Sequence, residues 1–295
     1  MNRLVKDQLA RNSMMILAGL AGVLFFVMLA ALYYRSLPIL STKTVTELLT
    51  GISWRPSKGI FGFLPFIVGT LWVTGVSVVI AVPLCLLTAI YLSEYSPVWL
   101  REWAKPPIDL LAGIPSVVYG VWGVTLVVPF IKGKVAPLFG AFTTGYCVLA
   151  GGIVLAIMVF PVIIHVSLEV LNAVNFGVKE ASLALGATRW QTVKHVVLRK
   201  AVSGIIAAVV LGLARAFGET MAVMMVAGNV ARIPKSVFSP AYTLPALIAN
   251  NYGEMLSIPL YDSALMLASL ILLLVTLVFN IVSQMILHRI ERRMA

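Results

Sequence analysis

Long apolar runs, each separated from the next by a short polar stretch, dominate this sequence. A helix needs about 20 predominantly apolar residues to cross the hydrocarbon core of a bilayer. Six runs reach that length, so the sequence predicts an all-α, polytopic membrane protein. The predicted spans are residues 14–34, 65–92, 107–131, 144–168, 202–227 and 262–287. Because no polar stretch is long enough for a separate soluble domain, we expect residues 1–295 to form one transmembrane domain.

The composition and the charge support a membrane location. Of the 295 residues, 60% are hydrophobic and 11% are charged, and the mean hydropathy is +1.00, values that no ordinary soluble domain has. A formal charge of +11 would suggest nucleic acid for a soluble protein, but the positive-inside rule explains it here, with membrane lipid as the partner.

The basic residues also predict an orientation. Of the 22, thirteen fall in regions assigned to the inside, eight fall outside, and Arg215 lies within a span. The run at 14–34 is longer than the ~7–15 residues of a signal-peptide core, so we expect an uncleaved first span. The prediction is a bacterial cytoplasmic (inner) membrane protein with both termini in the cytosol.

The cysteines and histidines show no ligand spacing. Cys85 and Cys147 fall in apolar segments, without a Cys-x-x-Cys pattern or neighbouring histidines. Both cysteines are therefore expected to be small core residues, and we expect neither a metal site nor a cofactor in this chain.

Residues 180–199 form the longest polar passage between two apolar segments, so they must lie outside the bilayer. Glu180 near a helix start would favour the positive end of the helix dipole, and Gly186 would end or bend that helix at low steric cost. Small residues such as Ala181 let another protein surface come close. An ordinary amphipathic loop helix is the alternative interpretation.

The spacing in this segment resembles the loop that permease subunits of ABC importers present to their ATPase. The matching residues are Glu180, Ala181, Gly186 and Leu198, while Ser182 replaces a small residue, Val196 replaces Ile, and Arg199 stands where Pro is usual. The resemblance implies a type I ABC importer permease fold, with a cytosolic coupling loop at 169–201 inside a core at 65–287. It also implies that a separate ATPase binds ATP and Mg²⁺.

Two charged residues fall inside the fifth predicted span. Each charge costs about 2.5–3.5 kcal/mol at a helix centre, and a spacing of four residues places Arg215 and Glu219 on one helical face. We therefore expect an ion pair that lines an anion path, since the planar guanidinium suits an oxyanion. A salt bridge that only joins helices is the alternative. Ser116 and Thr220 are further candidates for the path.

The residues around these charges carry a closer resemblance. Residues 215–223 (RAFGETMAV) and 113–120 (GIPSVVYG) are similar to the C-type permease subunit of phosphate-specific ABC importers. That family implies a heterodimer with a homologous A-type permease, a dimeric ABC ATPase and an extracytoplasmic phosphate-binding protein.

Three other functions are alternatives to this interpretation. An Arg–Glu pair alone does not distinguish phosphate from sulfate or molybdate. An ion-coupled secondary transporter is disfavoured because no inverted repeat is visible. A membrane enzyme is disfavoured because the sequence has no paired carboxylates, His-rich cluster or nucleophile–base pattern. The chain also lacks the Gly-x-x-x-x-Gly-Lys-Ser/Thr phosphate loop, so we expect no ATP hydrolysis by this subunit.

Overall fold

The computed structural model describes the backbone of residues 3–254 and 258–294, and the side chains of those ranges apart from 3–7, 9–10, 283 and 286–294. In chain order its elements are α1 (Arg3–Thr42), α2 (Val45–Thr50), β1 (Trp54–Arg55), β2 (Ile60–Phe61), α3 (Leu64–Tyr95), α4 (Val98–Gly113), α5 (Ser116–Leu138), α6 (Val148–Asn172), α7 (Phe176–Ala184), α8 (Arg189–Gly218), α9 (Met221–Val226), α10 (Leu244–Asn251) and α11 (Tyr261–Met294). In this described part, six helices (α1, α3, α5, α6, α8 and α11) are long and apolar enough to cross a membrane. The predicted all-α, polytopic fold is confirmed.

Helices α3 and α6 form the centre of the bundle because glycines let their backbones approach closely. A Cβ built on Gly152 of α6 would lie 2.8 Å from the Cβ of Val76 on α3. Helix α8 packs on another face of α6 in the same way, with Gly204 against Val170. Without a hydrophobic force between helices in lipid, such close backbone contact is a main source of association.

A cluster of aromatic side chains surrounds the start of α3. The short antiparallel pair β1–β2 turns at Gly59, whose φ of +67° suits glycine. It places Trp54 within 6.3 Å, between ring centroids, of four other rings, those of Phe61, Phe63, Phe66 and Tyr261. The cluster joins the connection between α1 and α3 to the first turn of α11.

Both cysteines are fully buried and free. Burial raises the pKa of the Cys147 thiol, which lies just before α6. The prediction that Cys85 and Cys147 are core residues is confirmed.

The sequence predicts a third span at 107–131 that Gly113, Pro115, Ser116 and Gly120 make breakable, and the structure breaks it at Ile114 and Pro115. Its first part belongs to α4, the backbone is extended at Ile114 and Pro115, and α5 then begins at Ser116. Proline cannot donate a backbone hydrogen bond, and it disfavours the helical conformation of the residue before it.

The other spans differ from the prediction mainly at their ends. Helix α1 is apolar enough to span over Arg11–Thr42 rather than 14–34. The fifth span was predicted at 202–227, but α8 begins at Arg189 and ends at Gly218, and the separate helix α9 follows.

Candidate functional site

Two helix interruptions lie next to each other in this structure. One separates α4 from α5 at Ile114 and Pro115, and the other separates α8 from α9 at Glu219 and Thr220. A Cβ built on Gly120 of α5 would lie 3.3 Å from the Cα of Ala222 on α9, so the two helices that follow the interruptions are in direct contact.

The interruptions lie level with the middle of α6. Gly212, near the end of α8, packs against Ile163 of α6, where a built Cβ would lie 2.5 Å from the Ile163 Cγ1. Gly123 of α5 packs against Val154 of the same helix. Because α6 crosses the bundle without an interruption, the end of α8 and the start of α5 lie at about mid-membrane depth.

The predicted ion pair of Arg215 and Glu219 was wrong. Among the described side chains, the pairs within the 4.0 Å limit are Lys43–Glu47, His165–Asp109 and Lys179–Glu94. Arg215 lies exposed in the last turn of α8, whereas Glu219 follows the helix with extended backbone (ψ 126°). A spacing of four residues places side chains on one face only when the helix is continuous, and Gly218 ends this helix.

Glu219 instead caps the next helix. Its carboxylate Oε1 accepts a hydrogen bond from the Ala222 amide at 3.2 Å. The first amides of a helix have no partner within the helix, and a negative charge there is favoured by the helix dipole. The sequence signal for this interruption is Gly218 followed by Thr220. Glycine is typical just after a helix, and a hydroxyl residue is typical just before the next one.

Ser116 and Thr220 lie at the two interruptions. Ser116 is half-buried and is the first residue of α5. Thr220 is also half-buried, and its hydroxyl donates to the Gly218 carbonyl at 3.3 Å.

The sequence analysis missed Tyr119. This residue is 6% exposed, and its hydroxyl donates to the Leu111 carbonyl at 2.7 Å. Tyr119 thus joins α4 to α5 across the interruption. The contact between α5 and α9 brings the end of α8, which carries Arg215, near the α4–α5 interruption, although Arg215 and Ser116 are far apart in the sequence.

The predicted coupling segment folds as two helices joined by a tight turn. Asn175 caps α7 by accepting from the Gly177 amide at 2.8 Å, and Gly186 has a φ of +85° that favours glycine. Thr188 and Gln191 then form a reciprocal capping box at the start of α8. Gly186 bends the chain as expected, but Glu180 does not lie near a helix start, because α7 begins four residues earlier at Phe176.

The five motif residues divide into an exposed set and a structural set. Glu180, Ala181 and Gly186 are exposed. Ser182 and Leu198 are half-buried, and the Ser182 hydroxyl lies 2.9 Å from the Thr192 hydroxyl, which joins α7 to α8.

Large apolar side chains accompany the exposed set. Leu185 is 89% exposed, and Leu183 and Trp190 are each about half exposed. A polar loop with this much unpaired apolar surface has the composition of a protein interface rather than of a purely solvated turn.

A family model, "Binding-protein-dependent transport system inner membrane component", matches residues 81–295. The chain belongs to this family. The matched region contains both helix interruptions and the coupling segment. Members of this family are membrane components of transport systems that depend on a binding protein, so the chain is a multi-pass inner membrane protein.

Relatives from several bacteria confirm the resemblance to C-type phosphate permeases. The phosphate transport system permease protein PstC of Pasteurella multocida is 37% identical over 81% of this chain and 79% of its own length. PstC of Mesorhizobium japonicum is 36% identical over 92% of this chain and 88% of its own length. A probable ABC transporter permease protein of Bacillus subtilis, YqgH, is 42% identical over 79% of this chain and 74% of its own length. All three are transport permeases by name.

Solved structures show the same fold. A chain of a bacterial alginate ABC transporter, in complex with its alginate-bound periplasmic protein, aligns with a TM-score of 0.65 and 19% identity over 98% of both chains. A chain of the inward-facing MetNI methionine ABC transporter aligns with a TM-score of 0.55 and 22% identity over 75% of this chain and 93% of its own. The type I importer permease fold is thereby confirmed.

Proposed function

We propose that this chain is the C-type permease subunit of an ABC importer that moves inorganic phosphate across the bacterial cytoplasmic membrane. The similarity to PstC proteins over most of both chains is the observation that carries the proposal. Residues 1–295 then form one permease domain with both termini in the cytosol. Its partners are a homologous A-type permease, a dimeric ABC ATPase that binds ATP and Mg²⁺, and an extracytoplasmic phosphate-binding protein.

The proposed path passes the two helix interruptions. Arg215 has no carboxylate partner within 4.0 Å among the described side chains, so its guanidinium can bind oxyanion oxygens with two parallel hydrogen bonds. Ser116 and Thr220 add hydroxyl groups, which donate to and accept from a phosphate oxygen. Glu219 caps α9 and is available to accept a hydrogen bond from a phosphate that still carries a proton.

The proposed driving force comes from outside this chain. The exposed residues of the coupling segment, with Glu180, Ala181, Gly186 and Leu185 at its surface, form the contact with the ATPase. Closure of the ATPase dimer moves α7, and α7 moves the spans to which it is attached. Alternating access to the path then follows from a two-state rearrangement of the bundle.

Transport by the assembled complex tests the proposal. The chain, its partner permease, the ATPase and the binding protein are co-expressed, purified together and placed in liposomes that contain ATP. We expect the liposomes to take up labelled phosphate only when ATP is present. Excess unlabelled phosphate should suppress this uptake, and excess sulfate should not. Equal suppression by sulfate would favour a broader oxyanion permease, and uptake without ATP would contradict the proposal.

Arg215→Lys tests the path. Lysine keeps the positive charge but cannot form the two parallel hydrogen bonds of a guanidinium. Since a hydrogen bond to a charged group contributes about 1.5–3 kcal/mol, we expect uptake to fall by about tenfold or more. Arg55→Lys, at an exposed position in β1, is the matched control and should transport normally. Normal uptake by Arg215→Lys would remove Arg215 from the proposed path.

A further inference from the structure

A polar cluster that plays no part in the proposed path lies at the C-terminal end of α3. Its centre is Glu94, whose carboxylate Oε1 lies 2.6 Å from the Nζ of Lys179 in α7. The two side chains are 10% and 16% exposed, so water screens this ion pair weakly. By contrast, in the Lys43–Glu47 pair the atoms are 3.6 Å apart and the carboxylate is 63% exposed. Exposed pairs of that kind contribute little.

The same residue of α3 also contacts the start of α8. The guanidinium Nη2 of Arg189 donates to the Glu94 carbonyl, and the guanidinium carbon lies 5.1 Å from the centre of the Tyr95 ring. Such a position over an aromatic ring is a cation–π contact. Glu94 is therefore bound from both sides of the turn at Gly186, by α7 before it and by α8 after it.

Two further elements close the cluster. Arg101 of α4 donates to the carbonyls of Leu92 at 2.8 Å and Ser93 at 2.7 Å, which occupies two carbonyls at the end of α3. The Ser93 hydroxyl lies 3.1 Å from both the Glu94 carboxylate and the Asn172 side chain at the end of α6. The end of α3 thus has fixed contacts with every element that borders the coupling segment.

The opposite end of α3 contacts the segment before α11. The buried hydroxyl of Thr70 accepts a hydrogen bond from the Leu244 amide at 2.9 Å. Gly69 allows the Tyr242 carbonyl to approach so closely that a Cβ there would lie 2.5 Å from the oxygen. A displacement of the Glu94 end of α3 therefore reaches α10 through a continuous helix and a backbone contact.

We infer that Glu94 is a positioning residue that couples movement of the coupling segment to α3, so that α3 carries the movement to the far side of the bundle. This inference rests on the proposed contact between the ATPase and the α7–α8 segment. The Lys179 contact makes α3 follow α7, and the Arg189 contact makes it follow the start of α8. If they are broken, the ATPase can still bind and hydrolyse ATP, but its movement no longer reaches the path.

Glu94→Gln in the assembled transporter tests the inference, because glutamine keeps the shape and removes the charge. The measured quantity is the number of phosphate ions taken up per ATP hydrolysed. We expect this ratio to fall by about fivefold or more, the lower end of typical coupling effects, while ATP hydrolysis stays within about twofold of wild type. Glu47→Gln, which removes the exposed ion pair with Lys43, is the matched control and should leave the ratio unchanged.

A double variant, Glu94→Lys with Lys179→Glu, exchanges the two charges between α3 and α7 and so keeps their attraction. We expect it to recover most of the lost ratio, which a merely structural effect of either single change would not do. An unchanged ratio in Glu94→Gln would overturn the inference. If Glu94→Gln fails to assemble, the exchanged pair decides: a low ratio in its assembled complex overturns the inference, and a normal ratio supports it. An inactive wild-type complex would instead contradict the proposed function.

Discussion

At the scale of single residues, Thr70 illustrates how a side chain holds two parts of the chain together. Its buried hydroxyl donates to the Phe66 carbonyl at 2.7 Å and accepts from the Leu244 amide at 2.9 Å. The Thr70 hydroxyl thus accepts a hydrogen bond from the Leu244 amide, which lies at the start of α10 and has no partner within that helix. In a dry environment an unsatisfied backbone N–H is costly.

We predict that Thr70→Val, which keeps the shape and removes the acceptor, lowers the free energy of unfolding by about 1–3 kcal/mol. Thr88→Val in the same helix is the control, because the exposed Thr88 hydroxyl donates only to Leu84 at 2.8 Å within its own helix. The control should change the unfolding free energy by less than about 0.5 kcal/mol. Titration of the purified protein with SDS in mixed micelles measures both, and equal effects would refute the assigned role of the Thr70–Leu244 bond.

Residue types were predictable from the sequence, but residue pairs were not. The polar residues of the proposed path stand out because charges inside apolar runs are rare. Their geometry depends on where α8 ends, and a charge pattern does not contain that information. The Glu94–Lys179 pair joins residues 85 positions apart, and neither residue lies in a local pattern that indicates the other.

At the scale of elements, the position of α3 depends on which of its glycines face a backbone. Gly69 faces the Tyr242 carbonyl, whereas Gly75 has no atom within 4 Å of a built Cβ. A carbonyl held by its own chain cannot move aside as a flexible side chain can. A methyl group added at Gly69 would therefore collide with the Tyr242 carbonyl, whereas one added at Gly75 would meet no atom.

We predict that Gly69→Ala lowers the free energy of unfolding by about 1–3 kcal/mol, the usual cost of overpacking. Gly75→Ala should be neutral or slightly stabilising, since alanine favours the helix by about 1 kcal/mol. The same SDS titration compares them. A Gly69→Ala protein as stable as Gly75→Ala would show that α3 and the Tyr242 segment can separate without cost.

Element boundaries were predictable where chemistry marks them. Pro115 marks the start of α5, and Gly186 with Thr188 marks the turn between α7 and α8. The start of α8 at Arg189 was missed because the polar residues of its first turns do not belong to an apolar run. They are helical because the capping box and the contact with α7 stabilise that turn.

At the scale of the whole molecule, the proposed coupling surface lies next to the turn at Gly186. Leu185 is the most exposed large apolar residue there, at 89%. Leu138, at the end of α5, is 83% exposed but belongs to a different surface. Exposure alone therefore does not identify the residues that contact the ATPase. Their position in the fold is needed as well.

We predict that Leu185→Ser weakens the binding of the ATPase by about 1.5–3 kcal/mol, the value of burying a leucine side chain. Leu138→Ser should leave ATPase binding unchanged. Co-purification at increasing detergent-wash volumes, or biolayer interferometry with immobilised permease complex, measures the difference. Equal retention of the ATPase by both variants would place its contact elsewhere.

The overall architecture followed from the apolar runs because bilayer thickness sets the length of a spanning helix. Six spans could be predicted on that basis, whereas the prediction of a coupling loop depended on the resemblance of the motif from Glu180 to Leu198. The contact between α5 and α9 could not be predicted, since it joins two elements that are each defined by an interruption of a span.

The helix ends near Pro115 and Gly218 have a consequence for solvent. Backbone that is not helical persists at membrane depth only where protein surrounds it or where it borders a water-filled space. Pro115 and Gly218 are both exposed in this chain, so a partner protein or a water-filled space must border them at that depth. An ion arriving there would exchange part of its water shell for fixed dipoles in steps, and it would never have to enter hydrocarbon bare.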